Sequence, residues 1–284
     1  MVKYTTLNFL SKYYRNNSNF IKSLKNNEIY HASLDQLNDP FESIITFKEI
    51  KNKNVLYVDH PIKKSRIIRV GEKENKEFSQ IKNELKSYYK KNIGIACFTM
   101  NPLNQLMWSH YAGNHTGVCL VFNSLKDWSY FRNVNQVNYN TEEIEVEYLT
   151  EFDPEGQLEL LKKFVFNKSI EWKYEQEMRR MLPYYGSYKF KVEALSMIIF
   201  GSRMKATEKE KIIKIAKIKY PNVGFFEIGI DENDKKLKIF DFYSHEELEF
   251  KISADFNTMT NLNGEYICIA KEGLECGCPE CSGN

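Results

Sequence analysis

Two short apolar runs, IGIACFT and TGVCLVF, flank the segment NPLNQLMWSHYAGNH and constrain the fold of this chain more than any other feature. Each run has the length and composition of a buried strand. Between them, Asn101 suits the N-cap of a helix and Pro102 suits its first turn. Gly113-Asn114 fits a left-handed end of that helix. The sequence therefore predicts a compact β-α-β unit over residues 93–122.

The rest of the chain mixes strand and helix patterns. Strands are predicted over residues 3–6, 28–33, 133–140, 142–149, 193–204, 222–230 and 236–242. Helices are predicted around Phe9–Tyr14, around Phe20–Leu24, and over residues 74–91, 156–175 and 205–220. Residues 175–182, EQEMRRML, fit either a helix or a strand.

This mixed order favours one α+β domain of catalytic type over residues 1–284. Residues 48–91 are rich in lysine and are predicted to form a helical insertion. Residues 268–284 form a Cys-rich tail.

Composition limits the classes of partner and the compartment. The net charge of the 284 residues is +2, too small to indicate nucleic-acid binding by itself. The sequence contains no apolar run of membrane-spanning length and does not begin with a signal-peptide pattern, so we expect a cytoplasmic protein that does not enter a membrane. Its six cysteines are then expected as thiols or metal ligands. A structural zinc site could be formed by Cys268, Cys276, Cys278 and Cys281.

The motif LNDPFE places Asn38, Asp39 and Glu42 around a turn, because Pro40 disfavours a helical backbone at Asp39. A purely structural Asx turn explains the same residues. In the β-α-β unit, Trp108 and Tyr111 fit either the wall of a site or an aromatic core.

The segment EWKYEQEMRR contains a possible acidic site. In a strand, the side chains of Glu175, Glu177 and Arg179 point to one face. In a helix, Glu175 and Arg179 form only an i,i+4 surface pair. The sequence leaves both alternatives open.

Three blocks together resemble a bacterial family known as domain of unknown function 2971. They are LNDPFE, then CFT with LMWSHYAGNHTGVCLVF, then Lys168, Trp172, Glu175, Glu177 and Arg179 in the pattern K-x3-W-x2-E-x-E-x-R. The blocks lie in the family's order between residues 3 and 201.

The layout also resembles the ADP-ribosyltransferase fold, which implies a split mixed β-sheet with flanking helices. The resemblance implies that Tyr4-Thr5 on the first strand, Thr99 at the end of a central strand and a late Glu-x-Glu at Glu175 and Glu177 surround bound NAD. Lys3 or Tyr4 replaces the usual His or Arg of the first strand, and His31 lies on the second.

This second resemblance implies a function: transfer of ADP-ribose from the co-substrate NAD to a nucleic acid or a protein, by a bacterial toxin or phage-defence effector. An antitoxin or inhibitor protein would be a further partner. Glu177 would stabilise the positive charge on ribose, and Glu175 would position or deprotonate the acceptor. Tyr111 with Trp108 would stack on the nicotinamide ring. The remaining residues expected to bind NAD are Tyr4, Thr5, His31, Asn38, Asp39, Thr99 and Arg179.

Two other classes of function fit the same residues. In a non-enzymatic binding module, the aromatic side chains would form a groove for a peptide or nucleic acid, and the carboxylates would pair with Arg179 and Arg180. In a metal-dependent hydrolase or nuclease, the ligands would be Asp39, Glu42, His110 and the Glu pair; His110 and His115 alone make a poor metal site.

Overall fold

A computed structural model of the chain describes residues 4–5, 9–39, 45–48, 55–60, 63–69, 87, 92–140, 144–147, 162, 165–231, 235–248 and 250–251. The strands are β1 (Tyr4–Thr5), β2 (Phe9–Tyr14), β3 (Glu28–His31), β4 (Ile45–Lys48), β5 (Val55–His60), β6 (Lys63–Arg69), β7 (Gly94–Thr99), β8 (Val118–Asn123), β9 (Val134–Gln136), β10 (Asn138–Asn140), β11 (Ile144–Glu147), β12 (Asn167–Ser169), β13 (Glu177–Leu182), β14 (Gly186–Lys189), β15 (Leu195–Phe200), β16 (Gly224–Ile230), β17 (Leu237–Asp241), β18 (Glu247–Leu248) and β19 (Phe250–Lys251). The α-helices are α1 (Ser18–Asn26), α2 (Gln105–His110), α3 (Trp128–Phe131) and α4 (Ala206–Lys219). Short 3-10 helices span Leu34–Gln36, Ser124–Asp127, Ile170–Glu175 and Val192–Ala194.

A large mixed sheet organises the described part of the chain, in the strand order β18-β17-β16-β15-β8-β2-β7-β13-β9. The pair β15-β16 is parallel, and the other neighbours in this sheet are antiparallel. Smaller pairs lie outside it: β1-β19, β4-β11 and β10-β12 are parallel, whereas β3-β14 and β5-β6 are antiparallel. The α+β class expected from the sequence is thereby confirmed.

The sheet is covered on both faces. On one face, here called the α4 face, α1 and α4 pack against apolar residues of the sheet that include Leu10, Leu120, Phe122, Ile198 and Phe200. On the other, the α2 face, Met107 and Trp108 pack against Tyr13, Cys119 and Val121. Each fully buried side chain of this kind stabilises the fold by about 1.5–3 kcal/mol.

The strands β2 and β7 are neighbours that separate along most of their length. Among the described residues they share the one register pair Ser11 and Thr99. By contrast, β2 pairs with β8 from Phe9 to Tyr14. Further along β7, the backbone of Ile95 exchanges hydrogen bonds with Ala32 instead. An opening therefore lies between β2 and β7, and it positions the cavity described below.

The helix predicted from the apolar residues near the N-terminus is wrong. Phe9, Leu10, Tyr13 and Tyr14 predicted a helix, but they lie in β2. A central strand covered on both faces is apolar at consecutive positions, and such a run also fits a helical template. The next helix is confirmed as α1, which is capped by Asn17 Oδ1 accepting from the Phe20 amide at 2.9 Å.

Other elements agree with the sequence more closely. The β-α-β unit is confirmed as β7, α2 and β8, although the helix N-cap is Asn104, whose side chain accepts from the amides of Leu106 and Met107. Residues 175–182 form a strand from Glu177 onward. The helix predicted over 156–175 is wrong for residues 167–169, which form β12.

The strands β5 and β6 form a hairpin within residues 48–91, where the sequence predicts a helical insertion. The helix predicted over 74–91 falls outside the described residues apart from residue 87, which is helical. No helix in the described ranges is long and apolar enough to cross a membrane.

Candidate functional site

A cavity of about 350 Å³ occupies the opening between β2 and β7. Its lining includes Ser11–Tyr14 from β2 and Cys97–Thr99 from β7, together with Asn38, Tyr111, Lys168, Glu175, Glu177 and Arg179. Polar and charged side chains from distant parts of the sequence therefore meet at one place.

The two carboxylates reach the cavity through a tight turn. Glu175 ends a 3-10 helix, and Glu177 begins β13. Between them Gln176 adopts a left-handed backbone with a φ of 46°. This turn brings both carboxylates to one ammonium group, because Lys168 Nζ donates to Glu175 Oε2 at 2.7 Å and to Glu177 Oε2 at 3.0 Å.

Arg179 fixes Glu177 from a second side. Residues 177 and 179 share one face of β13 because strand side chains alternate. Arg179 Nε donates to Glu177 Oε1 and Nη2 donates to Oε2, each at 2.9 Å. Arg179 is 0% exposed, and its Nη1 donates to the carbonyl of Val165. This fork-like pairing holds the carboxylate of Glu177 in one orientation.

The environment moves the pKa values of the two carboxyls in opposite directions. Burial raises the pKa of Glu175, and the charge of Glu177 adds to that effect, while Lys168 opposes it. Burial alone would also raise the pKa of Glu177, but Arg179 and Lys168 outweigh it and hold that pKa well below its usual range. Glu177 is therefore an anion, and Glu175 binds a proton more readily than an ordinary glutamate.

Tyr111 and Asn38 continue the network to the rim of the cavity. The Tyr111 hydroxyl donates to Glu175 Oε1 at 2.6 Å and accepts from Asn38 Nδ2 at 2.7 Å. Asn38 comes from the LNDPFE motif, whereas Tyr111 follows α2. The three sequence blocks described above therefore meet through the hydrogen bonds that join Asn38, Tyr111 and Glu175.

The backbone around the carboxylates is held by two further hydroxyl groups. Thr99 Oγ1 donates to the carbonyl of Glu175 at 2.7 Å. The amide of Glu177 donates to the Tyr139 hydroxyl at 2.8 Å. In this structure Thr99 supports the carboxylates as well as lining the cavity.

Some residues expected around NAD lie elsewhere. Trp108 is in the core rather than on the cavity wall: it is 0% exposed, its indole donates to the carbonyl of Pro102, and its ring stacks on His115. His31 is buried on the α4 face, where its ring packs against Tyr188. Asp39 is 5% exposed and is not among the residues that line the cavity.

The remaining expected positions include the first strand and the C-terminal tail. Tyr4-Thr5 does form a strand, but β1 pairs with β19 outside the large sheet. Glu42 and the cysteines Cys268, Cys276, Cys278 and Cys281 lie outside the described residues. Within the described segments, no group of three or more His, Cys, Asp and Glu side chains is placed to hold a metal ion.

Sequence reasoning missed Lys12 as a site residue. Lys12 Nζ donates to the carbonyl of Cys97 at 2.9 Å, so a side chain bridges β2 and β7 where they separate. Burial lowers the pKa of Lys12, while Cys97 and Glu177 raise it. The sequence contains no clear signal for Lys12, because a strand covered on both faces lacks alternation and residues 9–14 also fit a helical template.

Lys168 and Trp172 belong to the K-x3-W pattern, which by itself predicted no chemistry for either residue. Lys168 Nζ lies 4.8 Å from the centre of the Trp172 ring, a cation–π distance. The pattern contained the signal, because its spacing brings the lysine to both carboxylates.

A larger groove, of about 780 Å³, adjoins the cavity and shares Tyr13, Tyr14, Tyr30, Asn38 and Tyr111 with it. Trp172, His110 and Arg15 also line the groove. The two volumes fall within the range of ligand sites in proteins, about 300–1,000 Å³.

Comparison with known families gives one match. Residues 107–180 match the model of a family described as protein of unknown function (DUF2971). The matched segment begins in α2 and ends in β13, so it contains Tyr111, Lys168 and both carboxylates. The family resemblance expected from the sequence is thereby confirmed for this segment. Searches of the curated proteins and of the solved structures found no match.

Proposed function

We propose that this chain is an NAD-dependent ADP-ribosyltransferase with Glu177 and Glu175 at its catalytic centre. The observation that supports this proposal most strongly is the carboxylate pair itself. Both groups face a cavity, share Lys168, and have pKa values shifted in opposite directions. Carboxylates divided in this way suit the separate tasks of charge stabilisation and proton transfer.

Glu177 would act on the donor half of the reaction. The bond between the nicotinamide nitrogen and C1′ of the ribose breaks, and its electron pair leaves with nicotinamide. Positive charge then develops on the ribose ring. A fixed carboxylate lowers the energy of this oxocarbenium-like state, provided that it remains ionised. The lowered pKa of Glu177 meets that condition.

Glu175 would act on the acceptor half. The acceptor's nucleophilic atom forms the new bond to C1′ and loses a proton, which Glu175 accepts. A raised pKa makes a carboxylate a stronger base in its ionised form. Nicotinamide and the ADP-ribosylated acceptor are the products.

Tyr111 and Arg179 have different roles in the proposed reaction. The ring of Tyr111 lines the cavity and would stack on the cationic nicotinamide before cleavage. Arg179 is fully buried, and two of its nitrogens donate to Glu177. We therefore assign Arg179 to positioning Glu177 rather than to contacting a phosphate. Asn38 lines the cavity and donates from Nδ2 to the Tyr111 hydroxyl, so its amide oxygen is the group that would bind the ribose hydroxyls.

The test is release of nicotinamide from NAD by the wild-type protein and by Glu177→Gln, with cell extract supplied as acceptor. We expect the wild type to release nicotinamide and the variant to lose nearly all of that activity. Glu210→Gln, at an exposed position on α4, is the matched control and should retain it. Circular dichroism of each variant separates loss of chemistry from loss of fold. Unchanged release by a folded Glu177→Gln protein would contradict the assignment.

A non-enzymatic binding module is the second candidate, and a specific observation favours it. Both carboxylates pair with buried cations inside the protein, and the adjoining groove is rich in aromatic side chains. Such a module would bind its partner without NAD and would release no nicotinamide. Partner capture that is unaffected by NAD, together with absence of turnover, would favour it.

The biological setting stays a prediction from resemblance. An ADP-ribosyltransferase of this kind would act on nucleic acid or protein as a toxin or phage-defence effector, and a cell would need an antitoxin or inhibitor protein to control it. Mass spectrometry of cell extract after incubation with isotopically labelled NAD would identify the modified class of molecule.

A further inference from the structure

A second cavity, of about 350 Å³, lies on the α4 face of β13. It is lined by Asp127, Ser129, Tyr130, Arg180, Lys189, Phe190 and Lys191. Arg180 follows Arg179 in the strand, so its side chain points away from the carboxylate pair. The proposed transferase chemistry uses none of the residues that line this second cavity.

Tyr130 and His31 hold Arg180 in place, and neither contributes a negative charge. Its guanidinium carbon lies 4.1 Å from the centre of the Tyr130 ring, and its Nη1 lies 3.1 Å from His31 Nε2. Burial, with the charge of Arg180, lowers the pKa of His31 to about 3. His31 is therefore neutral at physiological pH and orients the guanidinium without contributing charge.

The acidic residue in the lining already has its own partners. Asp127 Oδ1 accepts from the Ser129 hydroxyl at 2.7 Å and from the Tyr130 amide at 3.2 Å. Its Oδ2 accepts from the Lys191 amide at 2.8 Å. Asp127 therefore caps the N-terminus of α3 and fixes the chain after β14. The lining residues Arg180, Lys189 and Lys191 together leave an excess of positive charge.

Two donors of the cavity lack partners. The Tyr130 hydroxyl and Arg180 Nε are both buried and have no hydrogen-bond partner among the described residues. Tyr130 is 4% exposed. Buried polar groups are ordinarily satisfied, and leaving them unsatisfied costs free energy. Arg180 Nε and the Tyr130 hydroxyl are thus two buried donors that an oxyanion could satisfy.

We propose that this second cavity is a binding site for the phosphate group of a small ligand. Guanidinium groups bind phosphate oxygens through paired, charge-assisted hydrogen bonds. The Tyr130 hydroxyl supplies a further donor, and the exposed Lys189 and Lys191 raise the local positive potential. The ligand is a tetrahedral phosphate, either inorganic phosphate or the phosphate monoester of a nucleotide.

Thermal unfolding and calorimetric titration, at constant ionic strength set with chloride, test the site. Sodium phosphate is the first probe, AMP the second and sodium acetate the comparison anion. We expect phosphate and AMP, but not acetate, to raise the melting temperature of the wild type. AMP binding that is tighter than phosphate binding and is lost in Arg180→Gln would identify a nucleotide as the ligand of this cavity. Equal binding of AMP and phosphate would identify the free phosphate group.

Variants separate a ligand site from a structural cluster. Arg180→Gln should weaken phosphate binding about tenfold or more, because one charge-assisted hydrogen bond exceeds the free energy of a tenfold change. Arg203→Gln, an exposed arginine elsewhere, should bind as the wild type does. Tyr130→Phe should also bind phosphate less tightly. Without phosphate this variant should be at least as stable as the wild type, because it removes a buried hydroxyl that has no partner.

Two results would overturn the proposal. One is a wild-type protein that phosphate and AMP do not stabilise, or that acetate stabilises equally. The other is Tyr130→Phe and Arg180→Gln proteins that fold and are stabilised by phosphate as much as the wild type is. None of these measurements depends on NAD turnover, so this site and the proposed transferase succeed or fail separately.

Discussion

Lys168 is the residue on which the electrostatics of the carboxylate pair depend. Its ammonium donates to both Glu175 and Glu177, and its side chain is 2% exposed. Without it, two buried carboxylates would face each other with Arg179 bound to one of them. Removing one member of a buried ion pair is far more costly than removing a surface charge, because the other member stays buried.

Lys168→Met should therefore lower the free energy of unfolding by about 3–5 kcal/mol near neutral pH. In this variant the pKa of Glu175 rises further, so the folded state binds a proton more tightly than the unfolded state does. Stability should then recover as the pH falls from about 7 towards about 5. Urea denaturation at several pH values between about 7 and about 5 measures this recovery of the free energy of unfolding. Lys173→Met, at an exposed position on the 3-10 helix that ends at Glu175, is the control. An equal, pH-independent loss of stability in both variants would contradict the argument.

Tyr111 tunes Glu175 through its hydroxyl. Its hydrogen bond lowers the pKa of Glu175, against the larger effect of burial. Tyr111→Phe should raise that pKa by about half a unit to one unit, since such a bond is worth about 0.5–1.5 kcal/mol.

If Glu175 is the base, nicotinamide release rises with pH as Glu175 ionises, and in Tyr111→Phe this rising limb moves to higher pH. A pH–rate profile of each protein measures the displacement. Tyr184→Phe, an exposed tyrosine, should leave the profile in place. A limb that stays fixed or moves to lower pH in Tyr111→Phe would exclude Glu175 as the titrating group.

At the scale of elements, the turn between α2 and β8 places Tyr111 against the carboxylates. Gly113, Asn114 and His115 all have left-handed backbones, with φ between 55° and 65°. Gly117 then passes close to β2, because a Cβ added there would lie 2.1 Å from the carbonyl oxygen of Tyr14. The backbone itself occupies that space, so a side chain requires the strands to move.

Gly117→Ala should lower the free energy of unfolding by more than about 2 kcal/mol, in the range of severe core changes. Asn114→Gly, in the same turn, should be neutral or slightly stabilising because glycine readily adopts a positive φ. Urea denaturation of both variants gives the comparison. Equal stability of Gly117→Ala and wild type would show that β2 does not approach the turn so closely.

The sequence predicted elements well where a local signal was unambiguous. The apolar runs of β7 and β8 and the long helix α4 were predicted from their own residues. The strand β2 was not, since burial on both faces removes the alternation that distinguishes a strand. The residues of one segment do not show how many neighbouring elements will pack against it.

At the scale of the whole molecule, the separation of β2 from β7 is the feature that makes a site possible. An uninterrupted backbone ladder would leave no room for Lys12, Glu177 or a ligand. The sequence supplied Glu175, Glu177, Tyr111 and Asn38 as candidates, and the structure brings these four residues together. The sequence could not exclude Trp108 and His31 from the cavity wall, because the burial of these residues depends on strands far away in the chain.

Bound NAD should slow amide exchange in β2 and β7, which flank the cavity, more than in β16 and β17 at the far side of the sheet. A ligand in the opening would restrain the strands on either side of it. Hydrogen exchange followed by mass spectrometry on Glu177→Gln, which should leave NAD intact, measures the effect. Equal protection of both strand pairs would place NAD elsewhere.

The order of the site residues along the chain also determines when the cavity beside β2 can assemble during synthesis. Lys12 leaves the ribosome early, whereas Lys168, Glu175 and Glu177 are added only after four of the nine strands of the large sheet have been made. At about 5–20 residues per second, on the order of ten seconds separate these events. No incomplete chain that stops before β13 contains the carboxylate pair. Under the proposed function, a translating ribosome would carry a chain without the catalytic pair until Glu177 is added, which would give an inhibitor synthesised alongside it time to be ready first.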